Sequence, residues 1–492
     1  KTAYWNHTPL LVVTPQAANK TMGQGGFQEV EQMNLFKDMV CYQEEVRDPS
    51  RMAEVLNRVI EKAFRGSAPA QINVPRDYWT QVIDIELPPI VRFERQGGGK
   101  EAIENAAKLL SKAKFPVILS GAGVVLGGAI DECKKLAEKL DAPVCNGYQH
   151  NDSFPGSHPL AVGPLGYNGS KAAMELISKA DVVLALGTRL NPFSTLPGYG
   201  IDYWPKKATI IQVDMNPDRI GLTKKVSVGI CGDAKQVAQQ ILDKLSSDAG
   251  NTGREERKNL IHKTKSAWLQ TLSGLDHEED DPGTVWNKEA RERDKDRMSP
   301  RQAWRAIQDA LPQDAIISSD IGNNCAIGNA YPTFEKPRKY LAPGLFGPCG
   351  YGFPAILGAK IGCPDTPVVG FAGDGAFGIS MNEMSSCARK EWPAITMVIF
   401  RNYQWGAEKR NSILWFDDNF VGTELDPELS YAKVANACGL KGVTCKTMEE
   451  TTKAIKQSCE DQKKGITTFI EIILNQELGE PFRRDAMKKP VK

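Results

Sequence analysis

The stretch TPVVGFAGDGAFG (366–378) carries one carboxylate, Asp374, to the end of an apolar run and sets a glycine on either side of it. The next apolar run, AITMVIF (394–400), ends at Arg401 and Asn402, with twenty-six residues between Gly375 and Asn402. That interval has the length of one helix plus one strand. It reads as a parallel crossover that brings Asp374 and Asn402 to the same end of one sheet, where α/β folds bind ligands. A carboxylate and an amide oxygen are hard oxygen donors suited to Mg2+ or Ca2+, ions that commonly complete their shell with phosphate oxygens. Gly373 and Gly375 allow the backbone to approach a diphosphate, and the helix that follows points its N-terminus at the same anion.

The elements that must position these residues alternate between strand and helix patterns along the whole chain. An opening segment holds the strand PLLVVT (9–14), a helix over 48–65 that starts at Asp48-Pro49, and the strand AQINVP (70–75). A Pro-, Gly- and charge-rich stretch (85–100) reads as a linker. A second segment runs from helix 101–113 through strand 115–123 and helix 128–140 to the strands DVVLALG (181–187) and ATIIQVD (208–214). Residues 246–298 turn polar, with a short helix over 254–272 followed by charge runs at 276–281 and 288–297, and read as a solvated connector. A third segment opens with Ser299-Pro300 as helix cap and first helical residue. It continues through the strand AIISSDIGN (315–323), the glycine-rich helix 350–362, the GDG strand and a helix over 379–389. The pattern argues parallel sheets with helices on both faces. The glycines of GAGVVLGG (121–128) lack dinucleotide-motif spacing and suit a strand-to-helix turn.

Composition narrows the function classes. The 492 residues carry a net charge of +1, which gives no argument for nucleic acid or an anionic membrane surface, and no apolar run approaches a membrane span. Eleven cysteines without a C-x-x-C pair and five dispersed histidines point to reduced thiols and a cytoplasmic setting rather than a disulfide framework or zinc site.

GDG followed by Asn at this spacing resembles the signature of thiamine-diphosphate enzymes. PGLFGPCGYGFPAILGAKIG (343–362) and GGFQEVEQMNLF (25–36) are similar to the acetolactate-synthase-like branch of that family. The resemblance spans nearly the whole chain and implies three doubly wound parallel-sheet domains. These are a pyrimidine-binding domain over 1–90, a central domain over 100–245 and, after the connector 246–298, a diphosphate- and metal-binding domain with a C-terminal extension over 299–492. It implies thiamine diphosphate and Mg2+ as cofactors, with Asp374, Asn402 and the Gln404 backbone oxygen as metal ligands. Cofactor contacts follow from Gly347, Cys349, Gly373, Asp374, Gly375, Ala376, Asn402 and Gln28. Cys349 stands where relatives carry a larger Met or Ile, and Arg401 stands where they carry a first asparagine. The family's pyrimidine-domain glutamate is expected upstream of Lys1, so the first domain is expected to be incomplete.

Within the branch, residues 147–177, 186–205, 212–226 and 401–425 look closest to a group of acyltransferases that convert sulfoacetaldehyde and phosphate into acetyl phosphate and sulfite. Both substrates are anions, so positive groups or N–H donors are expected. Arg401, Lys409 and Arg410 are the first candidates and Arg189 a further one. Each of Lys409 and Arg410 is equally readable as a surface cation, and Arg189 as an interdomain ion-pair partner. Glu408, at the start of a helix, is a candidate proton donor or an exposed helix glutamate. The resemblance also implies a homodimer or homotetramer. A carboligase of 2-oxo acids, a flavin-dependent 2-oxo acid oxidase and a cofactor-binding homologue without turnover are the rival readings.

Overall fold

The computed structural model describes residues 1–89, 94–274, 292–389, 391–417 and 419–478. The charge run 276–281, the part of 288–297 before residue 292, linker positions 90–93 and the extension beyond 478 lie outside the described residues. Among the described residues, fifteen strands form three sheets, each parallel throughout. Residues Lys1–Glu94 with Pro343–Pro348 make one compact unit, and Arg95–Ala342 with Cys349–Lys492 another.

The first sheet has the order β1 (Leu10–Gln16), β3 (Pro69–Pro75), β2 (Tyr42–Glu45). β3 is buried along its whole length, and Val55, Val59 and Ala63 of the helix Met52–Gly66 pack onto it at one-turn spacing. Asp48 caps the preceding 3-10 turn, its carboxylate accepting from Ser50 N at 2.9 Å. The helix expected over 48–65 is thus a 3-10 turn, Pro49–Arg51, leading into Met52–Gly66.

The second sheet runs β6 (Ala161–Pro164), β5 (Val144–Asn146), β4 (Pro116–Ser120), β7 (Val182–Leu186), β8 (Thr209–Asp214), β9 (Val228–Cys231). The order in which strands are added reverses between β4 and β7. There the glycines following each strand meet: a Cβ on Gly123 would lie 2.6 Å from the Gly187 Cα. Backbone-on-backbone packing accounts for this part of GAGVVLGG. Beside this sheet the helix Arg254–Ser273 is fixed by Arg257, 1% exposed, whose guanidinium donates to the carbonyls of Leu140, Asp141, Lys114, Gly250 and Thr252 at 2.6–2.9 Å. Two of those carbonyls end the helix Ile130–Leu140, so one side chain satisfies groups that helix geometry leaves without partners.

The third sheet has the order β11 (Tyr340–Leu341), β10 (Ile316–Ser319), β12 (Val368–Gly373), β13 (Thr396–Arg401), β15 (Thr468–Ile473), β14 (Lys441–Cys445). Its switch point lies between β10 and β12, the strands that lead directly into Asp320 and Asp374. Ser299 caps the helix Pro300–Ala310 through a capping box with Gln302. The helix expected over 379–389 instead begins at Asp374, runs to Ser380 and breaks into a 3-10 turn and the short helix Met384–Cys387. The second and third sheets are joined by a strap around residue 152. Asn151 Nδ2 donates to the carbonyls of Asn329 and Pro332 (2.7 and 3.0 Å), and the Asp152 carboxylate accepts from the N–H groups of Lys339 and Tyr340 (3.0 and 3.3 Å). No helix among the described residues is long and apolar enough to cross a membrane.

Candidate active site

β12 and β13 are neighbours, with Gly373 opposite Phe400, so the turn after one strand lies beside the last residues of the other. Asp374 is 1% exposed. Its Oδ2 accepts from Arg401 Nη1 at 3.0 Å and from Tyr403 N at 2.7 Å, while its Oδ1 accepts from the next N–H, Gly375, at 3.0 Å. Burial pushes the carboxyl up to about 6 against the opposing pull of Arg401.

Asn402 is buried, and its Oδ1 has no hydrogen-bond partner. A buried acceptor left open beside a carboxylate is the arrangement a hard cation would complete. Beyond it Tyr403 takes a left-handed φ of 61°, turning the chain so that Gln404 pairs antiparallel with Glu424. That pairing uses the Tyr403 carbonyl and the Trp405 N–H, bonded to Leu425 N and Thr423 O at 2.9 and 2.8 Å, so the Gln404 carbonyl points away from residue 424. The Gln404 side chain donates to the Gln476 carbonyl at 3.2 Å. Among the described residues no group of three or more His, Cys, Asp or Glu gathers as a metal site. One carboxylate, one amide oxygen and one carbonyl form the donor set at hand, and these residues fit a Mg2+ of the kind that shares its shell with phosphate oxygens.

Gly373 leaves open space: a Cβ there would meet nothing within 4 Å. Ala376 packs its methyl into the apolar core, which leaves its backbone for any cofactor contact. Glu408 is exposed on the first turn of the helix Gly406–Trp415. The Cys349 thiol is raised to about 11, first by partial burial and then by the fields of Asp320 and Glu408, so these three side chains share one neighbourhood. Gln28 and Gly347 belong to the first unit, with left-handed φ values of 59° and 58°.

The cations are placed differently from one another. Arg401 is 1% exposed and bound to Asp374, so it does not present the open guanidinium expected of an anion contact. Arg410 is 2% exposed and donates to the Tyr167 hydroxyl and the Asn323 side chain, which corrects its reading as a surface cation. Lys409 is mostly buried, paired with Glu424 at 2.5 Å and bonded to Gln476 at 3.1 Å. Arg189 is held down to about 10 by burial and by Arg219, with Asp214 opposing.

Two residues escaped the sequence reading. Asp320, at the end of β10, accepts from Gly350 N (3.1 Å) and Gly352 N (2.6 Å) and so holds the glycine-rich loop to the switch point. Glu471 is 2% exposed within β15. Both had a signal available: a carboxylate inside an apolar strand, TFIEII, or at its tip, IISSD, needs a partner when buried.

Comparison with known proteins adds to this geometry. The chain matches the thiamine pyrophosphate enzyme central domain over residues 103–241 and the C-terminal TPP binding domain over 320–472. It is 79% identical over 491 residues to a probable sulfoacetaldehyde acetyltransferase of Rhizobium meliloti (strain 1021), covering 100% of this chain and 83% of the relative. It is 77% identical to a sulfoacetaldehyde acetyltransferase of Roseovarius nubinhibens, covering 100% of this chain and 81% of that one. The crystal structure of benzoylformate decarboxylase from Polynucleobacter necessarius superposes with a TM-score of 0.77 at 21% identity, covering 98% of this chain and 84% of the other, a likeness of fold.

Proposed function

Because this chain belongs to the sulfoacetaldehyde acetyltransferase family of thiamine-pyrophosphate enzymes, we propose that it converts sulfoacetaldehyde and phosphate into acetyl phosphate and sulfite. The observation that carries the reading is the juxtaposition, in a chain so similar to those relatives, of buried Asp374 with the unpartnered Oδ1 of Asn402. In this reading Asp374, Asn402 and the Gln404 carbonyl hold Mg2+, and the open space at Gly373 receives the diphosphate. Thiamine diphosphate, when bound, supplies a carbon nucleophile able to add to an aldehyde.

The chain's own residues do the rest. The buried carboxylate and amide oxygen fix the cation and through it the phosphate oxygens, which is a positioning role. Glu408, exposed on its helix and within the field felt by Cys349, is the carboxyl that gives or takes a proton at the substrate. Lys409, paired with Glu424 and bonded to Gln476, is the cation assigned to the anionic substrates. Arg401 enters as the buried partner of Asp374 rather than as an anion contact. A homo-oligomer in the cytoplasm completes the proposal.

The test supplies the complete protein with thiamine diphosphate, Mg2+, phosphate and sulfoacetaldehyde and assays sulfite and acetyl phosphate together. Equimolar release of both, dependent on phosphate, is the expected result. Acetolactate from pyruvate without sulfite would place the chain with the carboligases, and phosphate-dependent oxidation of pyruvate by a yellow protein would place it with the flavin oxidases.

A further inference from the structure

Two buried carboxylates, Asp374 and Glu471, flank the Arg401 guanidinium. Arg401 Nη1 lies 3.0 Å from Asp374 Oδ2, and Nε lies 3.8 Å from Glu471 Oε1. Nη2 donates to the carbonyls of Asp426 and, at 3.0 Å, Leu429. The guanidinium carbon sits 4.2 Å from the centre of the Tyr403 ring and 5.4 Å from that of Tyr431. Glu471 is itself held, accepting from Ser430 Oγ at 2.7 Å and Tyr431 N at 3.1 Å, and the Tyr431 hydroxyl returns to the Asp374 carbonyl at 2.9 Å. These contacts tie Arg401, Glu471, Tyr431 and Asp374 together, and Asn402 Oδ1, in the residue next to Arg401, has no hydrogen-bond partner.

We propose that Arg401, held by the Asp426 and Leu429 carbonyls and by the charge of Glu471, is a positioning residue that fixes the Asp374 carboxylate through Oδ2, so that Oδ1, which accepts from Gly375 N, turns its remaining lone pair to the cation beside Asn402 Oδ1. The inference rests on the reading of Asp374 as a metal ligand. Two effects compete in predicting what its removal does. Coulomb attraction alone says that deleting a cation beside the ligand carboxylate tightens cation binding. Loss of orientation says the opposite, since partners that orient metal ligands are commonly worth 10–100-fold in affinity. The ions themselves separate orientation from general damage: Mg2+ demands near-ideal octahedral geometry, whereas Ca2+ accepts flexible shells.

The experiment titrates Mg2+ and, separately, Ca2+ into the complete protein with saturating thiamine diphosphate, followed calorimetrically, for the wild type, R401N, R401K and D374N. The expected result for R401N is Mg2+ affinity lowered roughly 10–100-fold while Ca2+ affinity falls by about threefold or less, in keeping with its looser shell. R401K keeps the charge but loses the fork that spans both carboxylates; it shows the same split and carries the test should R401N not fold. Unchanged or tighter Mg2+ binding in these variants overturns the inference, and so does an equal loss of both ions, which is the mark of a purely structural residue. D374N distinguishes the two levels. If it leaves Mg2+ binding intact, the metal site itself is misassigned; if it abolishes binding while the Arg401 variants keep it, only the positioning role fails.

Discussion

The two glycines around Asp374 have opposite surroundings, and replacing each by alanine separates fold from cofactor. Gly373 ends β12 with φ −68° and ψ 158°, a conformation any residue adopts, and an added Cβ would meet nothing within 4 Å. In the absence of cofactor, G373A should match or exceed wild-type stability by about 0.4–1 kcal/mol, because alanine restricts the unfolded chain. If the diphosphate lies against this turn, the methyl occupies its place. An intrusion of one methyl into a filled contact costs about 1–3 kcal/mol, which is roughly 5- to 150-fold in affinity. At Gly375 the same methyl would sit 2.8 Å from the Trp405 ring, on the loop that carries Asn402 and Gln404. G375A should therefore lose stability without cofactor as well as affinity, by about 1–3 kcal/mol from overpacking, less up to about 1 kcal/mol from better helix propensity. Calorimetric titration of thiamine diphosphate at fixed Mg2+ and thermal melting of the cofactor-free protein read the two quantities. Wild-type affinity in G373A would refute the placement of the diphosphate on this turn.

Three further outcomes follow from other sites. E408Q should lower turnover while leaving thiamine diphosphate affinity near wild type, because the hydrogen bonds at Glu408 run to Asn411 and Ser412 of its own helix; steady-state rates and titration check the split. His150 is held down to about 4 by burial and by Arg189, so the unfolded chain takes up a proton between about pH 6.5 and 4 that the folded chain refuses. Its contribution is complete above that window and is lost as pH falls through it, at up to about 1.4 kcal/mol per pH unit. Asp374, raised to about 6, acts with the opposite sign, so the reading is the difference between wild type and H150Q in urea denaturation at pH 7 and pH 5. R257M strips the charged donor from five carbonyls and should cost at least about 3 kcal/mol, seen as faster amide exchange at the end of the helix Ile130–Leu140.

The crossover from Asp374 to Asn402 was legible because its signals are local: apolar runs of strand length, glycines at a tip and a countable spacing. The Ser299 cap was legible for the same reason. The helix after GDG was misjudged because Gly375 and Gly378 weaken the helical pattern in its first turns, while the contacts that stabilise it are tertiary, among them Phe377 against Phe353 and Tyr431. Arg401 stood out by its type, yet its direction is set by the Asp426 and Leu429 carbonyls and by Asp374 and Glu471, and no spacing announces those partners. Asp320 binds backbone N–H groups, which have no signature in side-chain types. The segment 343–348, grouped with the first unit, lies far from residues 1–94 in sequence, and periodicity carries no information about such returns.

The strap of Asn151 and Asp152 has a consequence for how damage spreads. Opening the third sheet would strip Asp152, 3% exposed, of the two N–H groups it accepts from and would leave Asn151 without its carbonyls. Each such buried group left bare costs about 1–3 kcal/mol, a charge that falls on the central layer although the lesion lies elsewhere. The strap therefore couples the stability of the two layers. A substitution behind the GDG turn that opens the third sheet is expected to weaken the central one as well, and a ligand held at Asp374 is expected to steady both.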